Sequence, residues 1–202
     1  MTRHIRPLFG AAVSLLLAAC ASAPMHYYTL LPPVAAIPLN SVAPIAFELL
    51  PVRVPAQVDQ PQLVVREGGQ SVAMLEGHRW IAPLADEVRA ALGADLVRQL
   101  PGRNLTGMST GGQSLLQVSV DLRRFDSQLG SYALIEGAWS VRLLHGAKPA
   151  VLACTSEISE SVGPGYDALV QGHQRALAEL ASQVATAARS LAANQRGSCP
   201  SE

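Results

Sequence analysis

The hydrophobic positions fall into runs whose period changes along the chain. Over residues 116–125, Leu116, Val118, Val120 and Leu122 alternate with Gln117, Ser119, Asp121 and Arg123. A period of two sends one row of side chains inward and the other to water, so this is a half-buried strand. Residues 131–144 repeat the pattern, with Ala133, Ile135, Trp139, Val141 and Leu143 on one face and Glu136 on the other, and residues 150–160 follow. Turn residues at 126–130 and at His145-Gly146-Ala147-Lys148 separate the three and predict an antiparallel meander. Upstream, residues 45–54 read as a strand. Residues 62–66 and 71–75 are two short apolar strands around Glu67-Gly68-Gly69-Gln70, a hairpin signal.

Two segments switch to a helical period. After Pro83, which starts a helix without loss because its missing N–H would be unpaired there, Leu84, Val88, Leu92, Leu96 and Leu100 recur every four residues. Asp86, Glu87, Arg89 and Arg98 lie off that stripe, and Pro101-Gly102 ends it. Gly163-Pro164-Gly165 precedes a second helix over 166–191, whose stripe is Leu169, His173, Leu177, Leu180, Val184 and Leu191. No internal repeat is visible. Strands, helix, strands, helix predict an α+β fold, a mainly antiparallel sheet with two amphipathic helices packed on one face.

The chain ends have a different character. Arg3, His4 and Arg6 precede the apolar run LFGAAVSLLL at 8–17, which is too short to span a bilayer and has the anatomy of a signal peptide. Leu17-Ala18-Ala19-Cys20 resembles the bacterial lipobox, in which the Cys thiol is acylated and becomes the new N-terminus. The expected organisation is therefore a signal peptide at 1–19, then lipidated Cys20 with a proline-rich tether to 44. A folded domain follows at 45–193 and a flexible tail at 194–202. Pro24, Pro32, Pro33, Pro38 and Pro44 favour extended chain in the tether, which would reach roughly 70 Å at full extension. Inside it, Tyr27-Tyr28-Thr29-Leu30 has strand-type residues that would suit an edge strand. The residue after Cys20 is Ala21 and not Asp, which by resemblance to enterobacterial lipoproteins points to the periplasmic face of the outer membrane.

Charge and chemistry narrow the function. Lys plus Arg and Asp plus Glu are 15 each, so nothing in the balance favours nucleic acid. Loss of 1–19 removes Arg3 and Arg6, leaving 13 basic against 15 acidic side chains. His26, His78, His145 and His173 are scattered and none has partners at metal-ligand spacing, so no metal is expected. Ser109-Thr110-Gly111-Gly112 lacks the Lys of a phosphate loop, and no Gly-x-Ser-x-Gly elbow occurs. No cofactor and no enzymatic activity are expected. His173, on an apolar stripe, reads as a core residue, and Glu136 as solvated or interfacial. Cys154 points inward with Leu152 and Ile158 while Cys199 lies in the tail; outside the cytoplasm the two would pair, or Cys154 is simply buried and Cys199 a tail thiol. The 55–61 loop, with Pro55, Gln57, Asp59 and Pro61, is polar and stiffened by proline. It is a candidate partner interface, or else a structural crossing between strands.

Several of these segments resemble one family. They are Tyr27-Tyr28-Thr29-Leu30 after the lipobox, PVRVPAQVDQPQLVVR at 51–66, and His78-Arg79-Trp80-Ile81-Ala82-Pro83-Leu84. Asp121-Leu122-Arg123-Arg124-Phe125 and Tyr166-Asp167-Ala168-Leu169-Val170 complete the set. Together they are similar to the ABC-type transport auxiliary lipoproteins of PqiC or YmbA type, over about 27–193. The resemblance implies a non-enzymatic lipoprotein that serves lipid traffic between inner and outer membrane and envelope integrity. It also implies an MCE-domain partner and assembly as a homo-oligomeric ring. The alternative is another envelope lipoprotein, such as an activator of a wall-synthesis enzyme or an assembly factor.

Overall fold

A computed structural model describes residues 24–33, 46–100, 103–108, 112, 114–144, 150–194 and 196–200. The signal segment, Cys20, most of the expected tether, Ser109-Thr110-Gly111 and His145 lie outside the described residues. The elements are β1 (His26–Tyr28), β2 (Phe47–Leu49), β3 (Gln62–Gly68), β4 (Ser71–Trp80), α1 (Leu84–Gln99), β5 (Leu115–Gln128), β6 (Tyr132–Leu144), β7 (Ala150–Ser161) and α2 (Tyr166–Asn194).

The meander forms as its alternation predicts, β5 with β6 and β6 with β7 antiparallel, and β2 adds to the other side of β5 in parallel. The expected single sheet is in fact two. β1, β4 and β3 make a separate three-stranded sheet, in which β1 runs parallel to β4. β4 extends to Trp80 instead of ending at Leu75. The polar stretch Glu76-Gly77-His78-Arg79 is carried through the strand by a register shift between Gln62 and Leu63, whose partners are Arg79 and Leu75.

Both helices share one core with the four-stranded sheet. Every residue of the two predicted stripes is buried. α2 covers β6 and β7, and α1 packs along α2. The approach of α2 depends on Gly172: a Cβ there would meet Val162 Cγ1 at 2.3 Å and Ala133 Cβ at 2.9 Å. Trp139, buried on β6, donates its indole N–H to Ser156 Oγ (2.9 Å), which in turn donates to Gln183 Oε1 (2.6 Å), so a polar chain ties β6, β7 and α2 together.

The expected 20–44 tether is divided. Residues 24–33 belong to the fold, with β1 in its sheet and Leu30 fully buried. The anchor for this segment is Glu87, which was expected off the apolar stripe and is only 4% exposed. Its Oε2 accepts hydrogen bonds from the Thr29 hydroxyl and the Leu30 backbone N–H, both 2.8 Å. A carboxylate is tolerable at this depth because two donors meet it in the first turn of α1, where the helix dipole favours negative charge. Gln174 adds longer bonds to the Thr29 and Leu31 carbonyls. At the other end, the expected flexible tail lies back on the body. Cys199 is bonded to Cys154, with Cα atoms 5.5 Å apart, and Ser190 Oγ donates to the Arg196 carbonyl at 2.9 Å.

Glu87→Ala should destabilise the protein by about 1.5–3 kcal/mol, the range for hydrogen bonds to a charged group. It should also open the 24–33 segment to chymotrypsin after Tyr28 and Leu30, with Glu87→Gln intermediate. Urea midpoints and the cleavage pattern check this; wild-type protection in Glu87→Ala would mean that apolar contacts alone hold the segment.

Candidate docking surface

The 55–61 loop is a single tight turn. Val58 and Asp59 both donate backbone N–H bonds to the Pro55 carbonyl (3.0 and 3.1 Å), and Trp80 N–H is bonded to the Pro61 carbonyl at 2.9 Å. Val58 is buried beneath the turn, while Gln57, Asp59 and Pro61 are exposed and Pro55 is half-buried. The side chains expected to meet a partner are thus displayed on a loop plugged into the core by Val58. Just before it, Arg53 pairs with Asp121 through Nη2 at 2.7 Å, and its backbone bridges to β5.

Beside the loop, a cavity of about 230 Å³ opens between Pro55, Gln57, Val64, Arg66, Val72 and the 124–126 stretch of β5. Strand alternation sorts that stretch. Arg124 and Asp126 point outward, and Phe125 and Ser127 point into the core. Asp126 is the hub of the outward set: Arg66 Nε reaches both its oxygens (2.9 and 2.8 Å), and Arg124 Nη2 and the Tyr132 hydroxyl lie 3.5 Å away. Arg124 also faces Glu136 at 3.9 Å and Glu157 at 3.8 Å, which makes Glu136 part of a surface network. The carboxylate beside Arg66 raises that guanidinium pKa, first by hydrogen bonding and then by charge. The whole site is a fixed, charged rim around an apolar notch.

Behind it stands His173, fully buried as its stripe position predicts. Its ring stacks on Phe125 with centroids 3.9 Å apart and planes 9° apart, and its Nε2 shares a 2.8 Å hydrogen bond with Ser127 Oγ. Nδ1 is buried without a partner. Burial pushes the imidazole pKa down to about 3, opposed by the charge of Asp126.

Elsewhere, His78 sits among rings. The Tyr28 hydroxyl is 2.9 Å from its Nδ1, and the Tyr166 and His26 ring centroids are 3.9 and 5.2 Å from its own. Burial and then Asp167 raise the Tyr28 phenol pKa, the reverse of what activates a nucleophile. Desolvation and then the neighbouring His26 lower His78. Among the described residues no group of three His, Cys, Asp or Glu is placed to hold a metal ion. The larger groove along α1, about 590 Å³, has Asp86, Arg89 and Arg98 as its charged lining. Cys154 and Cys199 come together in the bridge. Cys20, the expected acylation site, lies outside the described residues. Among the residues described, no helix is long and apolar enough to cross a membrane.

Sequence reasoning missed the Arg66–Asp126–Arg124 network and the burial of Glu87. Asp126 reads as a turn residue in the sequence, whereas β5 runs on to Gln128 and sets Arg124 and Asp126 on alternate positions of one strand.

Fold and surface define an α+β body with an ion-paired rim beside an exposed, proline-bounded loop. The chain belongs to the ABC-type transport auxiliary lipoprotein component family, whose model matches residues 28–185. No curated protein is similar to it at a significant level. Its fold is shared with a crystal structure of an uncharacterized protein, at TM-score 0.63 and 20% identity over 84% of this chain and 99% of the other. It is also similar to a Xanthomonas campestris protein of the DUF330 family, at TM-score 0.52 and 17% identity over 81% and 91% of the two chains.

Because the folded-state pKa of His173 is below its unfolded value, unfolded chains bind the extra proton between the two, and stability falls as pH drops through that window. The linkage relation gives a loss of about 2 kcal/mol between pH 7 and pH 5 from this group. Urea midpoints at the two pH values should show it in wild type, and the difference should shrink in His173→Gln, which cannot titrate.

Proposed function

We propose that this lipoprotein is a non-enzymatic auxiliary component of an MCE/ABC-type lipid transport system between the inner and outer membranes. In this reading acyl chains on Cys20 hold it at the periplasmic face of the outer membrane. Copies assemble as a ring, and the exposed 55–61 loop docks onto the MCE-domain partner. The observation that carries the reading is the family match over 28–185. The exposed loop adds to it: Gln57 and Asp59 are presented on a turn already fixed by Val58, so little conformational entropy is lost on binding. The lipobox supports the anchor, and Ala21 supports the outer membrane. No role in nucleic-acid binding is proposed.

Copurification with the MCE partner after crosslinking in cells is the direct test. Asp59→Lys should reduce partner recovery by about tenfold, the effect of roughly 1.4 kcal/mol, with the thermal midpoint unchanged. Wild-type protein that never crosslinks to such a partner, and instead captures a wall-synthesis enzyme, would replace the transport reading with the activator one. Cys20→Ala should leave an uncleaved or soluble chain whose circular dichroism shows a normal body, with envelope function lost. A Cys20→Ala chain that still supports the envelope would remove the anchor from the mechanism.

A further inference from the structure

The three-stranded sheet is exposed along β1 and β4. Leu63, Val65 and Trp80 are buried, so they mark its inner side. Their exposed counterparts are Val72 and Met74 on β4, paired with Arg66 and Val64, and Tyr27 on β1, paired with Arg79. Met25 immediately precedes β1, and Ile81 immediately follows β4 with its N–H bonded to the Tyr28 carbonyl at 2.9 Å. Eight large apolar side chains are exposed among the described residues, and five are these: Met25, Tyr27, Val72, Met74 and Ile81, at 42, 61, 57, 58 and 67%. Scattered single exposures need no explanation, but five on or immediately beside two paired strands make a patch.

The patch lies on the strand closest to the candidate acyl site. Five residue steps separate Cys20 from Met25, and an extended chain covers at most ~3.3–3.6 Å per residue, so Met25 is within about 18 Å of Cys20. The headgroup layer takes up part of that distance, since a bilayer of about 40–45 Å has a hydrocarbon core of about 30 Å. The tether of roughly 70 Å expected from the prolines is cut to this length because β1 and Leu30 are locked into the body. The chemistry of the face also suits a bilayer interface. Tyr27 is amphipathic, Met, Val and Ile are apolar, and Arg79 supplies a cation whose nearest acid is Glu76, at 3.7 Å.

We propose that the outer face of the β1–β4–β3 sheet lies against the lipid bilayer, so that the folded body rests on the membrane and does not swing on a long tether. This rests on the acylation of Cys20 proposed above. On the membrane the body would take one orientation, with the sheet face down.

The test uses the full acylated chain in vesicles of zwitterionic and anionic phospholipid, with bimane attached at Met74→Cys, at Ile81→Cys, and at Val151→Cys on β7 as an exposed control. A lipid carrying a headgroup spin label should quench the probes at 74 and 81 and leave the one at 151 bright. Vesicle-bound protein whose probes at 74 and 81 stay as bright as that at 151 would overturn the bilayer contact and leave the anchor standing. Shielding of position 74 from an aqueous quencher without lipid quenching would also overturn it, and would assign the face to a second copy or a partner. A mass spectrum without acyl chains on Cys20 would overturn both the anchor and the contact built on it.

Discussion

The two hydrogen bonds from Thr29 and Leu30 to the buried carboxylate of Glu87 decide where the folded body begins. Without them the stretch before residue 46 would be a leader of small residues and prolines. With them, Leu30 fills a hole beside α1, β1 finds an edge beside β4, and the chain leaves the body only a few residues after Cys20. A buried charge is costly unless its lone pairs are met, and here the donors come from the very segment that must be held. Helix and segment therefore stabilise each other: α1 gains a satisfied acid in its first turn, and the segment gains a fixed end.

A second constraint is the double use of β5. Its alternation sends Phe125 and Ser127 to His173 and sends Arg124 and Asp126 to the surface. The imidazole behind the sheet and the ion network in front of it are thus one strand's two faces. Motion of that strand would disturb both. A surface built this way has its side chains placed before any partner arrives. For a protein whose described residues carry no catalytic set, that placement is where specificity would reside.

The meander and both helical stripes were legible because each repeats over enough residues for one period to dominate. His173 was legible for the same reason, as a polar ring on an otherwise apolar stripe. The division into two sheets was not. Strand-type residues at 27–30 and 45–54 mark both parallel edge strands, but the pairing of His26 with His78 joins residues far apart in the chain, and nothing local names the partner or its direction. Glu87 was misread because an acid in a first helical turn usually faces water. Nothing near it in sequence names Thr29 and Leu30 as its donors. Val72 and Met74 look like core residues by composition, yet they face outward because Leu63 and Val65 fix the inner side of the hairpin. Of the docking surface, the proline-bounded loop could be found from sequence, but the Arg66–Asp126 pair that borders it depends on a contact between two sheets.

The Cys154–Cys199 bridge has a consequence for the order of events in making this protein. β7 is the outermost strand of its sheet, and a long outer strand offers unpaired backbone groups to any other chain. The bridge lays the C-terminal residues on that strand, with Gly197 close against Leu152 and Cys199 Sγ 3.3 Å from the Ala153 carbonyl oxygen. The guard over β7 is therefore synthesised after the strand it covers, and it locks only where thiols are oxidised. A copy that folds in a reducing compartment has a complete core and an open edge, so self-pairing along β7 is the hazard of its early life and one that ends when the bridge closes.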